Sequence, residues 1–160
     1  MSAVKKIKNV RDGKIFFDKY PPEHAEKAFK DGYYIEALQT LHLSIELKIQ
    51  EWLLLSKHGN SKVSQKVIWD AAFNIPLTHA IKALFVVGKM PKTIYDDVCK
   101  FNSMRNKVIH RLFVEPYDGE IPSVKFDEYR RVFEKGIKLC EKLDWHLAKL
   151  ATRGKVGTNK

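Results

Sequence analysis

The stretch IEALQTLHLSIELKIQEWLLL, residues 35–55, decides the fold. Ile35, Leu38, Leu41, Ile45, Ile49 and Trp52 recur in steps of three and four, the period of an α-helix, with no proline or glycine between them. Leu43, Leu47 and Leu54 occupy its other faces. Such a helix is expected to be wrapped by neighbours or pressed against a second subunit rather than to lie on a surface. Upstream, a shorter helix from about Glu23 to Lys30 should end at Asp31-Gly32, where glycine can take the left-handed conformation that closes a helix.

Downstream, Lys57-His58-Gly59-Asn60-Ser61 reads as a turn, and helical spacing resumes from Val63 through Val87. Pro76 interrupts it, so a break is expected near Asn74-Ile75 with a fresh helix from Pro76 to Val87, closed by Gly88. Thr93 and Asp96 read as a capping pair for a helix running to about Leu112, before a loop marked by Pro116, Gly119 and Pro122. From Phe126 to about Leu150 the stripe returns as Tyr129, Val132, Phe133, Ile137, Cys140, Leu143 and Leu147. Only Ile15-Phe16-Phe17 suggests extended chain. With no internal repeat, the economical architecture is an all-α bundle of four to five helices. The expected division is a basic N-terminal segment, 1–21, a helical domain, 22–152, and a flexible basic tail, 153–160.

Composition bounds what such a bundle can be. A chain of 160 residues, 44% hydrophobic and 30% charged, suits one globular domain. The apolar runs Trp52–Leu55 and Ala83–Val87 fall well short of the roughly 20 residues that cross a bilayer, so no membrane partner is expected. The basic N-terminus leads into no apolar segment, which points to a cytoplasmic location. Cys99 and Cys140 form no ligand-like spacing and read as small core residues. Neither a Glu-x-x-His or His-x-x-x-His pair nor a glycine-rich phosphate loop is present, so neither a metal site nor a cofactor is expected. The net charge of +10 favours a phosphate-rich partner. Lys5, Lys6, Lys8 and Arg11 could grip phosphates or simply be solvated. Trp52, Trp69 and Trp145 fall on or near apolar stripes and read as core or dimer contacts rather than base-stacking platforms.

One helix breaks the pattern. Its apolar row runs Ile94, Val98, Phe101, position 105, Val108 and Leu112, and position 105 is arginine. A guanidinium in such a row needs a partner, and Glu46 is the candidate. On the adjacent face Asn102, Asn106 and His110 follow one another four residues apart, lining up three hydrogen-bonding side chains. Arginine offers a forked cation to phosphate, and histidine can move a proton near neutrality, a combination suited to phosphodiester chemistry. The other histidines, His24, His42, His58, His79 and His146, read as structural.

The run Phe101-Asn102-Ser103-Met104-Arg105-Asn106-Lys107-Val108-Ile109-His110 resembles the Arg-x-x-x-x-His motif of HEPN domains, in which a polar residue, often Asn, follows the Arg. The helix order over residues 25–150 is also similar to the four-to-five-helix HEPN arrangement. That resemblance implies an RNA-cleaving homodimer whose two motif helices face each other in one composite, metal-independent site. Many such proteins are toxins paired with a nucleotidyltransferase antitoxin. On the matching positions Arg105 would bind the scissile phosphate, Asn106 would orient it or the histidine, and His110 would be the acid–base residue. Asn102, Lys107 and Arg111 would assist binding, and Glu46 would orient Arg105. Some family toxins carry a modifiable Tyr two residues after the His, whereas this chain has Leu112, so neutralisation by nucleotide transfer onto that position is not expected. The alternatives are a non-catalytic HEPN-like module that binds nucleic acid or a partner protein, and a helical adaptor whose basic surface is incidental.

Overall fold

The computed structural model describes residues 10–11, 14–15, 19–56, 64–113 and 123–156. Two short strands, β1 (Val10–Arg11) and β2 (Lys14–Ile15), pair antiparallel. Six helices follow: α1 (Pro21–Lys30), α2 (Tyr34–Leu55), α3 (Gln65–Asn74), α4 (Leu77–Val86), α5 (Lys92–Phe113) and α6 (Phe126–Val156). The chain is therefore an all-α bundle, with six helices among the described residues against the four to five expected. The turn at 57–61, the loop around Pro116–Pro122 and residues Phe16-Phe17 lie outside the described residues.

α2 is the shaft of the bundle and packs against each of the other five helices. Leu38, Leu41, Ile45, Ile49 and Trp52 are buried on it, as the spacing requires. Against them pack Ala25 and Ala28 of α1, Ala80 and Leu84 of α4, Phe101 and Val108 of α5, and Val132, Phe133, Cys140 and Leu143 of α6. Burial pushes the Cys140 thiol up to about 11, as befits an inert core thiol. Gly136 marks a tight crossing: a Cβ there would lie 2.6 Å from Phe101 Cε2 and closer still to Leu41 Cδ2. Only a residue without a side chain lets α6 approach α2 and α5 this closely.

Both glycine-terminated helices end as expected. Gly32 and Gly88 have φ of +85° and +69°. Tyr33 N donates to Ala28 O and Lys89 N to Leu84 O, at 2.8 and 2.9 Å, the reversed bonds of the Schellman closure. Pro76 separates α3 from α4, and the groups freed by that break are satisfied from α2. Buried Gln50 donates through Nε2 to Phe73 O and Ile75 O, at 3.3 and 3.4 Å, while Glu46 Oε1 accepts from Leu77 N at 3.2 Å. A carboxylate at a helix N-terminus also meets the positive end of the helix dipole.

Two expectations need correction. Thr93 and Asp96 do not form a cap: α5 starts one residue earlier, Ile94 N and Tyr95 N reach Pro91 O, and Asp96 takes the Lys92 ammonium at 2.6 Å. α6 continues past Leu150 to Val156. Of the tryptophans only Trp52 is core. Trp69 and Trp145 are 46% and 55% exposed, Trp69 stacked on Phe73 and Trp145 under the Lys149 ammonium. Opposite these, Lys48 is buried on α2 and holds both Tyr20 and Asp144. Burial pulls the pKa of its ammonium down, but those two hydrogen bonds more than compensate and leave it above the ordinary lysine value.

Candidate functional site

Ile94, Val98, Phe101 and Val108 are fully buried, which fixes the rotation of α5 about its axis. That rotation turns Asn102, Asn106 and His110 to one side, with Ser103, Lys107 and Arg111 following at the same four-residue spacing. These two rows, with Thr78 and Ile81 of α4 as the facing wall and Cys99 at one end, line a groove of about 680 Å³. Among the described residues no carboxylate lines it. Lys107 and His110 are exposed, while Asn102 and Asn106 are half-buried. Arg111 shares its charge with Glu128 across a 2.7 Å ion pair.

Arg105 does not line the groove; it points into the seam between α5 and α2. Its Nη1 donates to Asn106 Oδ1 at 2.9 Å, its Nη2 donates to Gln39 Oε1, and its Nε is buried without a hydrogen-bond partner. The expected pairing with Glu46 is not formed. The Glu46 carboxylate is committed to the backbone of Leu77, and it acts on Arg105 only through space. Burial lowers the pKa of the guanidinium, and the charge of Glu46 works the other way.

The seam also holds a residue that sequence reasoning set aside. His42 Nε2 lies 3.3 Å from Asn102 Oδ1. Gln39, His42 and Glu46 are spaced three and four apart on α2, a polar row beside the apolar stripe. That spacing is the signal that could have found them. Desolvation by burial lowers the His42 pKa, the Arg105 charge lowers it further, and Glu46 and the Asn102 hydrogen bond act in the opposite sense.

No cluster of three or more His, Cys, Asp and Glu that could hold a metal ion occurs among the described residues. No helix among them is long and apolar enough to cross a membrane. No protein-family model, curated protein or solved structure matches the chain.

A pH dependence of stability follows from the seam. His42 has a folded-state pKa below its unfolded value of about 6.5, and so does His146, through burial and then Lys142 and Lys149. As pH falls below about 6.5 the unfolded chain takes up protons that the folded chain refuses, so stability present above that pH is lost on acidification. The urea midpoint should be lower at pH 5.5 than at pH 7.5, and a His42→Gln/His146→Gln double variant should flatten the difference. Equal wild-type midpoints at the two pH values would contradict this.

Proposed function

We propose that the chain is the subunit of a metal-independent RNA endonuclease of the HEPN type, acting as a toxin or defence effector, with its active site composed across a homodimer interface. The observation that carries this reading is the groove on α5, where His110 stands exposed at the end of a ladder of Asn102 and Asn106, flanked by Lys107 and Arg111 and lined by no acid among the described residues. The ribose 2′-hydroxyl would attack the adjacent phosphorus, and the bond from phosphorus to the 5′-oxygen of the next nucleotide would break. One His110 would take the hydroxyl proton and its copy across the interface would protonate the departing oxygen, while the asparagine amides, with Arg105 behind them, meet charge on the phosphoryl oxygens. A two-fold axis beside this groove would bring two His110 side chains to one substrate. Exposed Leu43 and Leu47 on α2 and Phe73 on α3 border a neighbouring cleft with Glu46, and they offer apolar area for that association. The cognate partner in this reading is an antitoxin of the nucleotidyltransferase type, acting by a route other than modification of Leu112.

One observation favours the second reading, a non-catalytic module that binds nucleic acid or a partner protein: Arg105 is tethered inward to Gln39 and Asn106, away from the groove. The two readings part in one experiment. Structured RNA incubated with the protein and EDTA should be cut to fragments ending in a 2′,3′-cyclic phosphate, and sedimentation should give a dimer at micromolar concentration. RNA binding should weaken steeply as salt rises, since +10 on 160 residues releases counterions from phosphate. A monomer that binds RNA without cutting it would leave the binding module standing in place of the endonuclease.

A further inference from the structure

Asn102 and Asn106 lie one turn apart on α5 and both line the groove, and the oxygen of each amide is already taken from behind. Arg105 Nη1 donates to Asn106 Oδ1 at 2.9 Å, and His42 Nε2 meets Asn102 Oδ1 at 3.3 Å. An amide oxygen can only accept, so Nε2 carries the hydrogen of the His42 ring. With Oδ1 held from behind on both residues, Nδ2 is the atom each amide has left to offer the groove, and Nδ2 can only donate. A pair of N–H donors, walled by α4 and bordered by Lys107 and by Arg111, itself paired with Glu128, with no carboxylate in the lining among the described residues, is matched to an anion.

We propose that this groove is a phosphodiester cradle in which Asn102 and Asn106 donate together to the non-bridging oxygens, with His42 the positioning residue for Asn102 as Arg105 is for Asn106. The inference rests on the endonuclease reading for the identity of the ligand as RNA. It fixes which end of the Asn102 amide meets the ligand and gives His42, a residue of another helix that lines no part of the groove, control over how that contact points. His42 orients the donor and touches no substrate.

The test measures binding to a 2′-O-methyl oligoribonucleotide, which carries the phosphodiesters but lacks the attacking hydroxyl, at fixed salt. Asn102→Ala and His42→Leu should each weaken affinity on the order of tenfold, the worth of one hydrogen bond to a charged group. His42→Gln, whose Nε2 can replace the ring donor, should restore most of it, a rescue that a packing role would not produce. Inorganic phosphate should bind far more weakly than the oligonucleotide. The cradle is overturned if Asn102→Ala binds like wild type, if His42→Gln is as weak as His42→Leu, or if free phosphate binds as tightly as the oligonucleotide. Cleavage of unmodified RNA separates this inference from the reading beneath it. Cleavage by wild type with unchanged Asn102→Ala binding sinks the cradle alone, whereas the expected affinities without any cleavage sink the endonuclease alone.

Discussion

His110→Ala should abolish RNA cleavage and leave the melting temperature where it was. His110 is exposed at the end of the groove, so its truncation removes the side chain proposed to move the proton and almost no packing. Arg105→Ala should abolish cleavage too, but its effect on stability is a balance. The variant loses the hydrogen bonds to Gln39 and Asn106, worth about 1 kcal/mol each, and it also removes a half-buried cation whose Nε has no partner. Because Glu46 is held by Leu77 N, no acid is stranded when the arginine goes. The net change should therefore stay within about 1 kcal/mol, smaller than pairing with a core carboxylate would have given. Wild-type cleavage should survive EDTA. A His110→Ala protein that cuts RNA at the wild-type rate would end the composite-site mechanism.

The largest effect on stability should come from a residue far from the chemistry. Gly136→Val places branched methyls where even a Cβ would meet the Phe101 ring at 2.6 Å. Leu41 and Phe101 are both fully buried, so neither can swing into solvent to make room. Overpacking of this kind costs about 3 kcal/mol, which for a chain of this size is a fall in melting temperature of roughly 6–12 °C. Gly136→Ala should cost less, since the gain in helix propensity of about 1 kcal/mol offsets part of the clash. Thermal unfolding followed by circular dichroism measures both, and a Gly136→Val variant melting at the wild-type temperature would contradict the close crossing.

These residues show how legibility divides along the chain. α2, the break at Pro76, the glycine closures and the groove row on α5 are written in local periodicity, and so could be read before any packing was known. Gly136 was silent because a glycine inside a helical stripe reads as a small defect until the approaching helices are in place. Arg105 announced itself by breaking an apolar row, but its partner was misread. The choice between Glu46 and Gln39 depends on which acceptor the Pro76 break consumes, and that is a tertiary fact. His42 was passed over for a related reason. A single histidine on a helix carries no sign of the asparagine on another helix that it will face. Trp69 and Trp145 were legible only as core or dimer contacts, because stripe position says which face a residue takes and not what covers that face.

The clamp at the α3–α4 junction bears on how the groove could diversify. Glu46 fixes the start of α4, one wall, while His42 and Gln39 engage Asn102 and Arg105 of α5, the other wall. Both jaws are thus bolted to the same two turns of α2, a helix that contributes no surface to the space between them. The gauge of the opening is set by side-chain length on that hidden stem. Shortening one bolt by a methylene, as in Glu46→Asp, would re-space the jaws without altering a single residue that a ligand touches. Changes in what the groove admits can then be inherited through a helix that looks, from the surface, like plain scaffolding.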